Sequence, residues 1–367
     1  MKRSLWCIGV LIGFLCLITH PLLCQDAIQG KWKAKIADGK IELRMRIIQK
    51  REFGDWEFSR YFQMSDFQGL EWKGKEDFRF VREAGSLAFE GEFSNDSGAG
   101  HFTFYPDQDF KSFLEKKGFE DIEDKDLLQF CLNNITKEYV DNVFALGYSD
   151  ISLSGLISFA IHQVSIEFIG DIHALGYRDI SPSNLISFRI HDVEPDYIES
   201  LHNLGYPDIS PSQLISFAIH DVSVEFINDL KVLGYSNIDT SQLVSFVIHD
   251  VTADFVQEMN ALGYTGMDPS ELISFQIHDV EPDFVKGLRE LGYTEISPSN
   301  LISFAIHEVT VNFVKDIHSA GYKDISPSQL ISFRIHDVDE EYIEYVNEKW
   351  EKKLTPDKIV SLKIQGF

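Results

Sequence analysis

Seven histidines recur at a constant interval: His162, His191, His220, His249, His278, His307 and His336 each stand 29 residues from the next. Imidazole titrates near neutral pH and is the commonest protein ligand for metals, so this ladder is the set of side chains with the most obvious chemical potential. All but His162 are followed directly by Asp or Glu. A metal site needs ligands that converge. Zinc–nitrogen bonds are about 2.0–2.1 Å, whereas stacked helices lie about 8–10 Å apart, so rungs of one histidine each form no ready-made site, and no metal or cofactor is expected. At a helix end, each imidazole would lie near the C-terminal dipole and the carboxylate that follows it. Capping and packing are therefore one reading of the ladder, a pH- or metal-responsive stack is a second, and direct contact of the histidines with a partner or ligand is a third.

Patterns for catalysis are missing. His307-Glu308 begins an H-E-x-x-H motif, but position 311 is Val, so the second zinc ligand is absent. There is no G-x-S-x-G and no glycine-rich phosphate loop. The chain reads as non-enzymatic, with a hydrolase whose site lies unrecognised in the N-terminal region as the alternative. Beside the histidines one position varies, through Ala160, Arg189, Ala218, Val247, Gln276, Ala305 and Arg334. In a repeat array such a position faces solvent or a partner. Arg189 and Arg334 are accordingly candidate contact residues.

The elements that must position these residues follow the same period. A Gly-aromatic pair recurs at Gly118-Phe119, Gly147-Tyr148, Gly176-Tyr177, Gly205-Tyr206, Gly234-Tyr235, Gly263-Tyr264, Gly292-Tyr293 and Gly321-Tyr322, which marks a stack of identical supersecondary units. Before each pair lies an amphipathic run such as Tyr197, Ile198, Leu201 and Leu204, a single apolar stripe at helical spacing. The glycine then supplies a left-handed helix stop. The other half of the unit is ambiguous. Ser181-Pro182-Ser183-Asn184 and its copies look like capped helix starts, yet Ile186, Phe188 and Ile190 alternate as a strand would. Helix-turn-helix units are the expectation, with a leucine-rich-repeat-like α/β solenoid as the alternative.

Residues 26–106 have a different grammar. Runs at Lys31–Ile36, Ile41–Ile48, Trp56–Phe62, Phe78–Arg82, Leu87–Phe93 and His101–Tyr105, with a turn at Asp38-Gly39, predict a meander of about six antiparallel strands, closed as a small barrel or curled as a sheet. Residues 1–25 combine Lys2 and Arg3 with an apolar stretch, as an export signal does, and no stable membrane span is expected after its cleavage. Cys7, Cys16 and Cys24 fall within it, leaving Cys131 alone and no disulfide possible. The net charge of −25, with no run of Lys or Arg to interrupt it, makes nucleic acid a poor partner.

The stretch from Arg82 to Phe93, then Gly98 to Asp107, followed by L-I-S-F-x-I-H-D-V units ending in L-G-Y, resembles the extracytoplasmic part of bacterial BlaR-type sensor/antirepressor membrane metallopeptidases and their free-standing secreted relatives. The peptidase half of that family needs membrane helices and an H-E-x-x-H site, and neither is present, so the resemblance implies an exported, periplasmic or secreted sensing or interaction module and no proteolysis. The expected protein is thus a non-catalytic scaffold: residues 107–367 form an extended acidic repeat surface for a protein partner in the cell envelope.

Overall fold

A computed structural model describes residues 27–48 and 57–367. The expected export signal at 1–25, and the start of the third expected strand at Trp56, lie outside the described residues. The chain forms two compact units, the first ending at Ile161 and the second spanning His162–Phe367.

The first unit opens with seven antiparallel strands: β1 (Ile28–Ala37), β2 (Lys40–Ile47), β3 (Glu57–Gln63), β4 (Phe67–Gln68), β5 (Gly74–Arg82), β6 (Gly85–Ser94) and β7 (Ser97–Pro106). Their order is β3-β2-β1-β7-β6-β5-β4. This is a curled sheet and not a simple meander, because β1 pairs with β7 and joins two separate runs of hairpins. Asp38 and Gly39 form the tight β1–β2 turn with φ of 53° and 73°, the left-handed pair that an Asp-Gly hairpin supplies. Gly98 and Gly100 lie within β7. Gly100 stands opposite Trp32 and Gly91, and a side chain on it would strike the backbone of Glu90. Gly91 makes room for the Trp32 indole, whose Nε1 donates to the carbonyls of Glu90 and His101 at 3.3 and 3.1 Å. Phe78, Phe89 and Phe93 surround the ring. Trp32 is a plug of the aromatic core.

Four helices complete this unit: α1 (Gln108–Lys116), α2 (Asp124–Leu132), α3 (Lys137–Ala145) and α4 (Leu153–Ile161). Helix α2 packs on β6 and β7, and its buried Cys131 thiol lies 3.4 Å from the Gly85 carbonyl. Burial pushes that thiol up to about 12, so Cys131 is an inert core residue.

The second unit repeats one motif. Its helices are α5 (Ile166–Ala174), α6 (Pro182–Ile190), α7 (Pro195–Asn203), α8 (Pro211–Ile219), α9 (Val224–Val232), α10 (Thr240–Ile248), α11 (Ala253–Ala261), α12 (Pro269–Ile277), α13 (Pro282–Glu290), α14 (Pro298–Ile306), α15 (Val311–Ser319), α16 (Pro327–Ile335), α17 (Glu340–Lys349) and α18 (Pro356–Ile364). The first half of each unit is therefore a nine-residue helix, and the strand alternative falls. Caps decide the matter: Ser181, Ser210, Asp239, Ser297 and Ser326 each accept from the amide three residues on, satisfying donors that a helix start would otherwise leave open. Leu and Phe three residues apart, as in Leu185 and Phe188, form the buried stripe and are fully inaccessible in every unit from α6 to α16, apart from 1% at Leu272. Even-numbered helices contact one another in succession from α6 to α18, and odd-numbered ones from α5 to α17. The result is a helical solenoid with two layers, in which each unit buries its apolar face against its neighbours.

Both helices of a unit end in a left-handed residue. In the odd-numbered layer from α5 to α15 it is the expected glycine, for example Gly205 with φ of 94°, where Tyr206 N–H bonds Leu201 O and Gly205 N–H bonds His202 O. In the even-numbered layer it is Asp192, Asp221, Asp250, Asp279, Glu308 or Asp337, with φ between 52° and 55°. The histidines are thus the C-caps, and the carboxylates after them occupy a backbone conformation that favours glycine.

Candidate interaction surface

His191, His220, His249, His278, His307 and His336 are the C-cap residues of α6, α8, α10, α12, α14 and α16. His162 holds the equivalent place after α4. All seven are partly exposed, and none of their rings has a hydrogen-bond partner among the described residues. No group of three or more His, Cys, Asp or Glu side chains converges as a metal site among the described residues.

Immediately before each histidine stands an isoleucine, the residue that Ile190 represents in the strand-like alternation. Ile190, Ile219, Ile248, Ile277, Ile306 and Ile335 are each 50–53% exposed. A helix turns 100° per residue, so a residue two beyond buried Phe188 points well away from the core. Ser187 and Ile186 share that outer face and are partly exposed in each copy. Stacking of the even-numbered layer sets these isoleucines in a ladder beside the histidines. Six half-exposed isoleucines at one repeated position exceed what scattered surface hydrophobes produce. The signal that could have found it was available: once Leu185 and Phe188 define the buried stripe of a helix, Ile190 cannot belong to it.

Arg189 and Arg334 sit at the edge of this surface and are tied down within the chain. The Arg189 guanidinium lies 5.0 Å above the Phe168 ring and 2.5 Å from Glu194. Arg334 lies 5.0 Å above Phe313, 2.9 Å from Glu308, and donates from Nε to the His307 carbonyl at 3.3 Å.

The outer face of the sheet carries opposite charge. Lys31, Lys33 and Lys35 alternate along β1, and Arg44 and Arg46 along β2. Register places Lys31 against Arg46 and Lys33 against Arg44, like-charge neighbours that cost stability where nothing offsets them. Glu42 pairs with Arg44 at 2.5 Å, and Glu57 lies 3.8 Å from Arg46. Lys31, Lys33, Arg44, Arg46 and Glu57, with Phe58, Ser59 and His101, line an open groove of about 850 Å³. A basic cluster thus does interrupt the acidity. It escaped the sequence reading because apolar residues separate its members in the chain. The second unit holds 33 acidic against 13 basic residues and carries most of the negative charge.

Compared with known proteins, the chain matches no family model and no curated sequence. Among the described residues no single helix is long and apolar enough to cross a membrane.

Proposed function

We propose that this protein is a non-catalytic, exported binding scaffold whose even-numbered helix layer docks a protein partner. The observation that carries the reading is the isoleucine ladder. Each rung leaves half of a large aliphatic side chain in water at the last turn of a helix, where Lys or Arg would suit the dipole and solubility better. Apolar rungs flanked by partly exposed histidines and carboxylates form an elongated strip with a polar rim, the composition of a protein interface. The acidic surroundings favour a basic partner and speed its encounter. Resemblance to the extracytoplasmic region of BlaR-type sensors supports an envelope setting, and the absence of their peptidase signature supports recognition without hydrolysis.

The test is quantitative cross-linking of the chain to proteins of its native envelope, comparing wild type with an Ile219→Ser/Ile248→Ser/Ile277→Ser variant. These residues already face water, so the variant keeps its thermal transition. The reading expects a specific cross-linked species that the triple variant reduces at least tenfold. Equal recovery from both proteins would exclude the ladder as the docking surface.

A further inference from the structure

The variable position beside the ladder decides whether a groove is open or filled. In three units it supplies a cation that lies over an aromatic ring of the preceding odd-numbered helix: Arg189 over Phe168, Arg334 over Phe313 and Lys363 over Tyr342. Arg334 gives the fullest account of what such a groove offers. It stacks on Phe313, pairs with the Glu308 carboxylate, and donates to the His307 carbonyl. One period structure holds throughout, so the counterparts around Ala218 are Tyr197, Asp192 and the carbonyl of His191. All three elements are retained there and the cation is missing. The space is an open groove of about 730 Å³ lined by His191, Asp192, Tyr197, Ala218, Ile219 and Asp221. The Tyr197 ring is held in place because its hydroxyl donates to the Val222 carbonyl at 2.6 Å.

We infer that the groove over Ala218 is a binding site for an arginine side chain of the protein partner. This rests on the docking surface proposed above and specifies its partner chemistry. An aromatic face attracts a cation, and guanidinium combines stacking with the planar fork that matches a carboxylate and an adjacent carbonyl. The chain itself shows the full fit in Arg334, and Arg189 repeats the stacking with a different carboxylate, Glu194. Ile219 forms the outer wall of the groove, so an arginine bound there reaches in from a partner lying along the isoleucine ladder. A second open groove, of about 450 Å³, stands at Gln276 beside Phe255, Asp250 and Glu281, and belongs to the same series.

The experiment is a methyl NMR titration of the full chain, labelled at the Ile δ1 methyls, with a capped pentapeptide carrying one arginine among Gly and Ser. Salt near 150 mM suppresses diffuse attraction to the acidic surface. The Ile219 methyl should shift saturably while Ile190 and Ile335, beside filled grooves, stay in place. Ala218→Arg, which supplies the missing cation in cis, should weaken the Ile219 response at least tenfold. Arg189→Ala should open a groove and create a new response at Ile190. A lysine peptide that shifts Ile219 with equal affinity would overturn the guanidinium assignment. Uniform shifts along all rungs, or indifference to both substitutions, would overturn the groove itself while leaving the cross-linking result on the ladder to stand or fall separately.

Discussion

Removing one oxygen from a recurrent tyrosine should loosen the array between two units. The hydroxyls of Tyr177, Tyr206, Tyr235, Tyr264, Tyr293 and Tyr322 donate to the carbonyls of Ile209, Ile238, Met267, Ile296, Ile325 and Leu354, each 32 residues on, at 2.7–3.1 Å. Every such bond ties one unit to the start of the next. The accepting residues are 4–6% exposed, so a Tyr→Phe change strands a buried carbonyl, at a cost of about 1–1.5 kcal/mol per site. Staples with no shared partner add nearly independently, and Tyr206→Phe/Tyr235→Phe/Tyr264→Phe together should cost about 3–4 kcal/mol. Urea unfolding followed by circular dichroism measures this, with Tyr61→Phe, a 63% exposed residue of the sheet, as the control. A triple variant within about 0.5 kcal/mol of wild type would refute the stapling argument, since it would leave the bonds no net worth. The same residues fix an alkaline limb. Burial raises the phenols of all six, Tyr293 to about 12. The unfolded chain ionises first, so their contribution is complete below the ordinary tyrosine range and disappears as pH climbs from about 10 towards the folded values. The triple variant should show a shallower loss of stability above pH 10.

Further outcomes follow from the same geometry. Phe246→Ala should cost about 3–5 kcal/mol because the ring is wholly buried, whereas Ile248→Ser, two residues later and half exposed, should stay within about 0.5 kcal/mol by thermal or urea unfolding. Asp337→Gly should stabilise the chain by about 0.5–1 kcal/mol in the same assay, since glycine adopts the φ of 52° found there without strain. Acid sensitivity should arise from two histidines outside the ladder. His173 and His318 are depressed first by burial, then by Arg178 and Lys323 respectively. Their contribution is therefore present above the ordinary histidine value and lost as pH falls through the folded one. Stability against pH between 5 and 8 should be flatter in a His173→Gln/His318→Gln variant than in wild type.

Much of this fold was legible because its determinants are local. Ser210 and Gln213 sit at capping distance in the sequence and form the reciprocal box in the structure, and Gly205 ends its helix where the apolar stripe stops. The strand alternative arose from Ile186, Phe188 and Ile190, whose alternation is real but has another cause: in a helix, Phe188 turns inward and the two isoleucines share the outer face. Nothing local could reveal the contacts that close the structure at long range. The tyrosine staples span 32 residues, and the adjacency of β1 and β7 joins segments some 70 residues apart. The left-handed carboxylates were hidden for another reason. Aspartate after histidine suggests electrostatics, while its place one beyond a C-cap becomes visible only when the helix end is fixed.

Two neighbouring positions of the array have different histories. Units of this array echo one another closely, and copying alone could account for a recurring isoleucine. The adjacent residue provides an internal control. It has become Arg189, Ala218, Val247, Gln276, Ala305 and Arg334 within the same set of copies, so the time since duplication has sufficed for a surface position to diverge. Over that interval Ile190, Ile219, Ile248, Ile277, Ile306 and Ile335 have not changed, although half of each faces water. The buried half of the side chain does not require isoleucine, because Leu or Met would fill comparable space at little cost. Under the proposed docking, a uniform apolar rung with a changing groove beside it would divide the work of recognition: the rungs would supply area wherever a partner lies, and the pattern of open and cation-filled grooves would set its register.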